Sequence, residues 1–125
     1  MNRRLPILVV AGAMLCGVVF GAPARADGLQ FEEGLAAFEQ GNYALAAQKW
    51  YEAANEGIPQ AQYNLGTLYY AGRGVTQDRA RAAQWFQLAG QGGVAEAQFN
   101  LGAMYANGDG VPRDLVAAFV TCPHV

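Results

Sequence analysis

Apolar residues recur along the chain with the spacing of an α-helix. Ala61, Leu65 and Leu68 follow one another at intervals of four and three residues, which places them on one face of a helix. A second series with helical spacing lies further along the chain: Ala82, Trp85, Phe86, Ala89. The segment between the two series contains Gly72 and Gly74, as expected where a helix ends in a left-handed cap. The pattern therefore predicts two helices joined by a glycine-containing turn.

This pattern repeats after 36 residues. Residues 61–83 and 97–119 are identical at 11 of 23 positions, whereas chance would give about one or two. A second match, at an offset of 35, pairs Trp50 with Trp85 and Ala54 with Ala89. We therefore expect about three helical hairpins, in units of about 29–58, 59–93 and 94–125, with the last unit truncated.

Two glycines fall inside predicted helices rather than between them. Gly66 and Gly102 occupy the same position in successive units. A glycine inside a helix costs about 1 kcal/mol relative to alanine. We therefore expect another helix to approach closely at these positions, where a side chain would be in the way.

The repeated residues resemble the Sel-one-like repeat (SLR), a relative of the tetratricopeptide repeat. The pattern Ala-x-Tyr/Phe-x-Leu-Gly-x-x-Tyr-x-x-Gly-x-Gly-Val covers residues 61–75 and 97–111. Residues 31–57 are similar to a tetratricopeptide hairpin. The resemblance implies an all-α, right-handed α/α solenoid that acts as an adaptor for other proteins. Cysteine-rich members have been linked to β-lactam binding, but this chain lacks their paired cysteines.

The end of the chain departs from the pattern. A 36-residue shift of Trp85 and Phe86 predicts aromatic residues at positions 121 and 122, where the sequence has Thr121 and Cys122. This departure raises the alternative that the chain is a fragment of a longer repeat protein. We then expect an exposed apolar surface at that end, formed by Leu101, Met104, Leu115 and Phe119.

The first 26 residues have the pattern of a secretory signal peptide. Two arginines, Arg3 and Arg4, are followed by 16 residues without a charge, residues 5–20. The segment Ala24-Arg25-Ala26 has the form of a cleavage site. Cleavage after Ala26 would leave residues 27–125 as the repeat domain, with a net charge of −5 after the loss of three arginines. We expect a periplasmic or secreted protein with no membrane contact after cleavage; an uncleaved anchor is the alternative.

The residue inventory leaves little for catalysis. The chain has no serine and one histidine, so a Ser-His-Asp hydrolase cannot be built. Asp78 and Asp114 lie one unit apart and are best explained as helix caps. Cys122 and His124 are too few to hold a metal, although Cys122 could cross-link two chains. We expect no cofactor, no metal and, with a net charge of −2, no nucleic-acid partner.

A binding surface is expected on the first helix of each unit, which lines the concave side in solenoids of the kind that the resemblance implies. Tyrosine suits interfaces and asparagine can hydrogen-bond an extended peptide. The alternative is that the same residues pack between units. The candidate protein-binding residues are Tyr63, Asn64, Thr67, Tyr70, Phe99, Asn100 and Ala103.

These observations favour an exported, non-catalytic repeat adaptor that mediates protein–protein interaction in the bacterial envelope. A small hydrolase acting on cell-wall or β-lactam substrates is one alternative, and a fragment of a longer repeat protein is another. The partner is expected to be another protein or peptide, with self-association through the C-terminal end or Cys122 as a further possibility.

Overall fold

The structure is a computed structural model that describes residues 22–121, with side chains from residue 28. Most of the predicted signal peptide, and the residues Cys122 and His124, lie outside the described residues. The backbone is helical from residue 22, so the predicted cleavage site lies within the first helix. Within residues 22–121 the chain forms six helices and no strand: α1 (Ala22–Glu39), α2 (Tyr43–Asn55), α3 (Pro59–Ala71), α4 (Arg79–Gln91), α5 (Ala95–Asn107) and α6 (Leu115–Thr121).

The helices form three hairpins, α1–α2, α3–α4 and α5–α6, and each helix packs against the next one along the chain. The expected all-α helical-repeat solenoid is confirmed. None of the described helices combines the length and the apolar character that crossing a bilayer requires.

Side-chain caps begin the second helix of every hairpin. Asp78 accepts a hydrogen bond from the backbone N–H of Arg81 at 3.0 Å, and Asp114 accepts one from Ala117 at 3.0 Å. Asn42 does the same at the start of α2. These bonds satisfy N–H groups that the first turn of a helix leaves unpaired. The capping role expected for the two aspartates is confirmed.

The second helices follow a 36-residue register, and the offset of 35 suggested by the sequence is wrong for them. α2 and α4 begin and end exactly 36 residues apart. Trp50 is 3% exposed and corresponds to Phe86, which is 1% exposed. Trp85 is only half-buried, and Tyr51 is 47% exposed. The two tryptophans therefore occupy different positions, because burial follows the helix face rather than residue identity.

Glycines make room for the buried aromatic rings. A Cβ added to Gly66 would lie 2.8 Å from a ring carbon of Phe86, and one added to Gly34 would overlap the Trp50 indole. The expected close approach at Gly66 is confirmed, and its partner is the ring of Phe86 on α4. Gly102 is buried as well.

Successive hairpins are joined by the same hydrogen bond. The Gln62 side chain donates from Nε2 to the carbonyl of Ala54 at 3.1 Å. One repeat later, Gln98 donates to the carbonyl of Gly90 at 2.9 Å. Each bond satisfies a carbonyl near the C-terminus of the preceding hairpin, where a helix leaves acceptors free.

The apolar surface expected at the C-terminal end has a different composition from the one that the sequence suggested, since Val116 and Val120 on α6 are exposed there. Leu101 and Met104 belong to the core, in a cluster with Phe86. Leu115 and Phe119 are exposed as expected, Phe119 at 77%. Self-association through this surface stays a prediction.

Candidate functional site

A candidate binding site is a groove between α3 and α5, which we call the α3–α5 groove. It encloses about 370 Å³, a volume within the usual range of ligand pockets. Its walls come from the first helices of two successive hairpins, with α4 between them. The lining residues are Thr67, Tyr70, Ala71, Phe86, Asn100, Ala103, Met104, Asn107 and Asp109.

The inner surface of the groove is apolar. Phe86 and Met104 are both buried and pack in one cluster. The ring of Tyr63 stands 5.7 Å from that of Phe86, centroid to centroid, and supports it from the α3 side. The base of the groove is therefore held by packed aromatic and aliphatic side chains.

The rim of the groove carries a carboxylate that is already paired. Asp109 accepts a hydrogen bond from the Tyr70 hydroxyl at 2.5 Å. The Arg79 guanidinium donates through one nitrogen to both carboxylate oxygens, at 2.8 and 2.9 Å. The same guanidinium lies over the Tyr70 ring, 4.4 Å from its centroid. This three-residue cluster joins the second and third hairpins.

Contacts within the cluster shift the pKa values of Asp109 and Tyr70. The hydrogen bond from Tyr70, followed by that from Arg79, holds the pKa of the Asp109 carboxyl below its ordinary value. The same bond to Asp109 raises the pKa of the Tyr70 phenol. Asp109 is therefore an anion at neutral pH, and Tyr70 keeps the proton that it donates.

Two carboxamides in the groove remain available. Neither Asn100 nor Asn107 makes a side-chain hydrogen bond within the described part of the chain. Thr67 differs, because its hydroxyl donates to the carbonyl of Asn64 at 2.6 Å. The free donors and acceptors of the groove are thus concentrated on α5.

The structure brings together four of the seven predicted binding residues: Thr67, Tyr70, Asn100 and Ala103 line the groove. The other three do not line it. Tyr63 packs on Phe86, Asn64 accepts a hydrogen bond from Gln60 at 3.4 Å, and Phe99 is 63% exposed.

Sequence reasoning missed Arg79, Asn107 and Asp109. A signal for Asp109 was present. It occupies the middle of a Gly-x-Gly turn where the preceding unit has Arg73, and a reversal of charge at an otherwise repeated turn marks a contact specific to one junction.

Asp78 and Asp114 act as structural caps, as described above. The second oxygen of Asp78 also lies 3.7 Å from the guanidinium of Arg81. Within residues 22–121 no three His, Cys, Asp or Glu side chains come together in a way that could hold a metal ion.

A family model described as the Sel1 repeat matches residues 59–94 and again residues 95–120. The chain is similar to a protective antigen present in uropathogenic Escherichia coli strains, whose crystal structure displays an SLR fold. The two share 36% identity with a TM-score of 0.74, over 80% of this chain and 22% of the antigen.

A Sel1 repeat protein from Oxalobacter formigenes has the same fold, with 23% identity and a TM-score of 0.69, over 79% of this chain and 44% of that protein. The chain therefore spans less than half the length of each of these proteins. No curated protein sequence matches it.

Proposed function

Because the chain belongs to the Sel1 repeat family, whose repeats generally mediate protein–protein interaction, we propose that it is a non-catalytic adaptor that binds a segment of another protein in the α3–α5 groove. The observation that carries the proposal is the groove itself. It combines an apolar base with two unpaired carboxamides, Asn100 and Asn107. Binding sites typically combine a mostly apolar cavity with a few polar groups that fix orientation.

The proposed setting is the bacterial envelope. The pattern of residues 1–26 supports export, with cleavage after Ala26. The similarity to a protective antigen of Escherichia coli strains supports a bacterial setting. Mass spectrometry of the exported protein tests this part: we expect a mature N-terminus at Asp27, and an N-terminus at Met1 in the membrane fraction would contradict it.

Site-specific photo-cross-linking tests the binding role. A photoreactive amino acid at Ala103, which lines the groove, should cross-link the chain to a discrete partner in cells. The same amino acid at Gln84, exposed on α4, serves as the control. Cross-linking that is equal at the two positions, or absent at Ala103 in a folded chain, would contradict the assignment of the groove.

A further inference from the structure

Helix α6 exposes an apolar surface, which we call the α6 patch: Leu115, Val116, Phe119 and Val120. Their spacing places the four side chains on one face of the helix, and no residue from Leu115 to Thr121 carries a charge. Phe119 is 77% exposed and Val116 is 74% exposed. Together the four side chains expose roughly 500 Å², as much as the largest apolar patch on a typical monomer, which is often functional.

The junctions inside the chain show what a following hairpin would require of α6. Ala47 on α2 and Leu65 on α3 line one cavity and belong to one buried cluster. One repeat later, Ala83 on α4 is 4% exposed and clusters with Leu101 on α5. α4 and α6 begin 36 residues apart, so Phe119 corresponds to Ala83. A bulky ring at this position would hold a following first helix further away than the junctions inside the chain do.

The first hairpin does not offer the α6 patch a matching surface. α1 and α3 end 32 residues apart, so Glu33 stands where α3 has the buried Leu65. Glu33 pairs with Lys49 at 2.9 Å, and both side chains are partly exposed. Stacking the α6 patch of one copy on the first hairpin of another would take this ion pair out of water against apolar side chains, which is costly. Head-to-tail assembly, which can continue into an open filament, is therefore disfavoured.

The α6 patch has instead both parts of a self-complementary contact. The Phe119 ring projects from it, and Val120, the next residue, lines a hollow of about 200 Å³ between α4 and α6. A two-fold axis places the same patch of two copies face to face, so each copy can offer its ring to the hollow of the other. Two patches of this size would bury about 1,000 Å², which is the lower end of specific interfaces.

We infer that the chain forms a two-fold symmetric dimer through the α6 patch, in which Phe119 of each copy packs against α6 of the other. This inference goes beyond the proposed adaptor role and rests on different residues, because none of the four patch residues lines the α3–α5 groove. The dimer carries one groove on each copy. A partner with two binding segments would therefore be held more tightly by the dimer than by a single chain.

Sedimentation equilibrium of the exported chain tests the dimer, under reducing conditions that prevent a disulfide through Cys122. We expect a monomer–dimer equilibrium in the micromolar range, as suits a small interface. Phe119→Asp should weaken the dimer at least about tenfold, because it places a charge in an apolar contact. The matched control is Leu88→Asp on α4, where the leucine is 45% exposed, and its dimer should be unchanged. Circular dichroism establishes that both variants are folded.

Cysteine cross-linking tests the symmetry of the contact. With Cys16→Ala and Cys122→Ala as the background, a single Val116→Cys can cross-link two copies through a short reagent only where the same position of both copies meets. We expect a cross-linked dimer with Val116→Cys and none with Leu88→Cys. Adding Leu29→Cys on α1, where the leucine is 57% exposed, should produce no species larger than the dimer.

Three results would overturn the inference. The first is a chain that stays monomeric at all concentrations, and the second is a dimer that the folded Phe119→Asp variant forms as tightly as the parent. The third is a ladder of trimers and larger species with Val116→Cys and Leu29→Cys together, which would indicate head-to-tail stacking. None of these results bears on cross-linking of a partner at Ala103, so the proposed function is decided separately.

Discussion

At the scale of single residues, the two tryptophans show how position outweighs identity. Trp50 is buried between α1 and α2, with its ring centroid 5.6 Å from that of Phe38 and its indole N–H donating to the carbonyl of Phe31 at 3.3 Å. Trp85 is half-buried and meets the exposed Tyr51 edge to face, 6.2 Å away. Only Trp50 is an anchor of the core.

We therefore expect the two truncations to differ in cost. Trp50→Ala should lower the free energy of unfolding by about 3–5 kcal/mol, because it leaves a cavity in the core. Trp85→Ala, its matched control, should lower it by about 1–2 kcal/mol, since much of that side chain already faces water. Urea denaturation followed by circular dichroism measures both values. Equal losses would contradict the 36-residue register of the second helices.

At the scale of elements, the Gly-x-Gly turns hold one hairpin against the next. Gly74 has φ of +73° and lies against the backbone carbonyl of Tyr43 at the start of α2. The middle residue of the turn adds a side-chain contact. Arg73 lies over the Tyr43 ring, 5.3 Å from its centroid, and one repeat later Asp109 binds Arg79. The close contact of the second turn glycine with the preceding hairpin is therefore repeated at Gly74 and Gly110. The side-chain contact beside it changes from a cation–π pair to an ion pair.

Two glycine substitutions together measure how much the contact between Gly74 and the Tyr43 backbone contributes to stability. Gly41→Ala should cost about 1 kcal/mol, because φ is +81° there and an L-residue is strained, although the space around it is open. Gly74→Ala has the same strain and also overlaps the Tyr43 backbone, so we expect a total of about 3 kcal/mol. Thermal and urea unfolding of both variants gives the comparison. Similar costs would mean that the contact contributes little.

At the scale of the whole molecule, the Tyr70–Arg79–Asp109 cluster connects the second and third hairpins at the rim of the groove. Tyr70 lies in the last turn of α3, Arg79 begins α4, and Asp109 lies in the turn after α5. These contacts add to the shared core and to the Gln98 hydrogen bond that hold the third hairpin against the second. The cluster therefore contributes to the junction that borders the groove.

The cluster makes stability depend on pH in one direction. The pKa of Asp109 is lowered in the folded chain from an ordinary value of 3.8. Its contribution to stability is therefore complete above the unfolded pKa and is lost as the pH falls through the lower, folded pKa. The melting temperatures of the parent chain and the Asp109→Asn variant should differ by a constant amount from pH 7 to about 5. That difference should shrink below about pH 4.

The Tyr70→Phe variant serves as a second comparison. It removes the hydrogen bond that contributes most to the lowered pKa of Asp109, so its stability should fall less steeply in acid than that of the parent chain. A difference between the parent and Asp109→Asn that persists unchanged to about pH 2 would contradict the assignment.

Much of the fold was predictable because it depends on local rules. The helical stripe of Ala61, Leu65 and Leu68, the cap at Asp78 and the left-handed end at Gly72 were all readable from spacing and residue type. The second-helix register was not, because Trp50 and Trp85 are chemically identical. Only packing against Gly34 and Gly66 distinguishes the buried ring from the half-exposed one.

The candidate site divides in the same way. The family resemblance predicted that Thr67, Tyr70, Asn100 and Ala103 lie on the concave first helices, and the structure brings them around one groove. The pairing of Arg79 with Asp109 spans 30 residues, so no local pattern contains it. Phe99 lies outside the groove lining and is 63% exposed, so its binding role stays a prediction.

The sequence by itself determined the repeat, its helices and their caps, because hydrogen bonding within a helix and burial of one helical face act over a few residues. The tertiary structure alone decided which aromatic ring fills the core, which carboxamides stay free and which charges cancel. These properties depend on distances between side chains of different hairpins. The sequence gives the identity of a carboxylate residue but not whether a partner from another hairpin lies beside it.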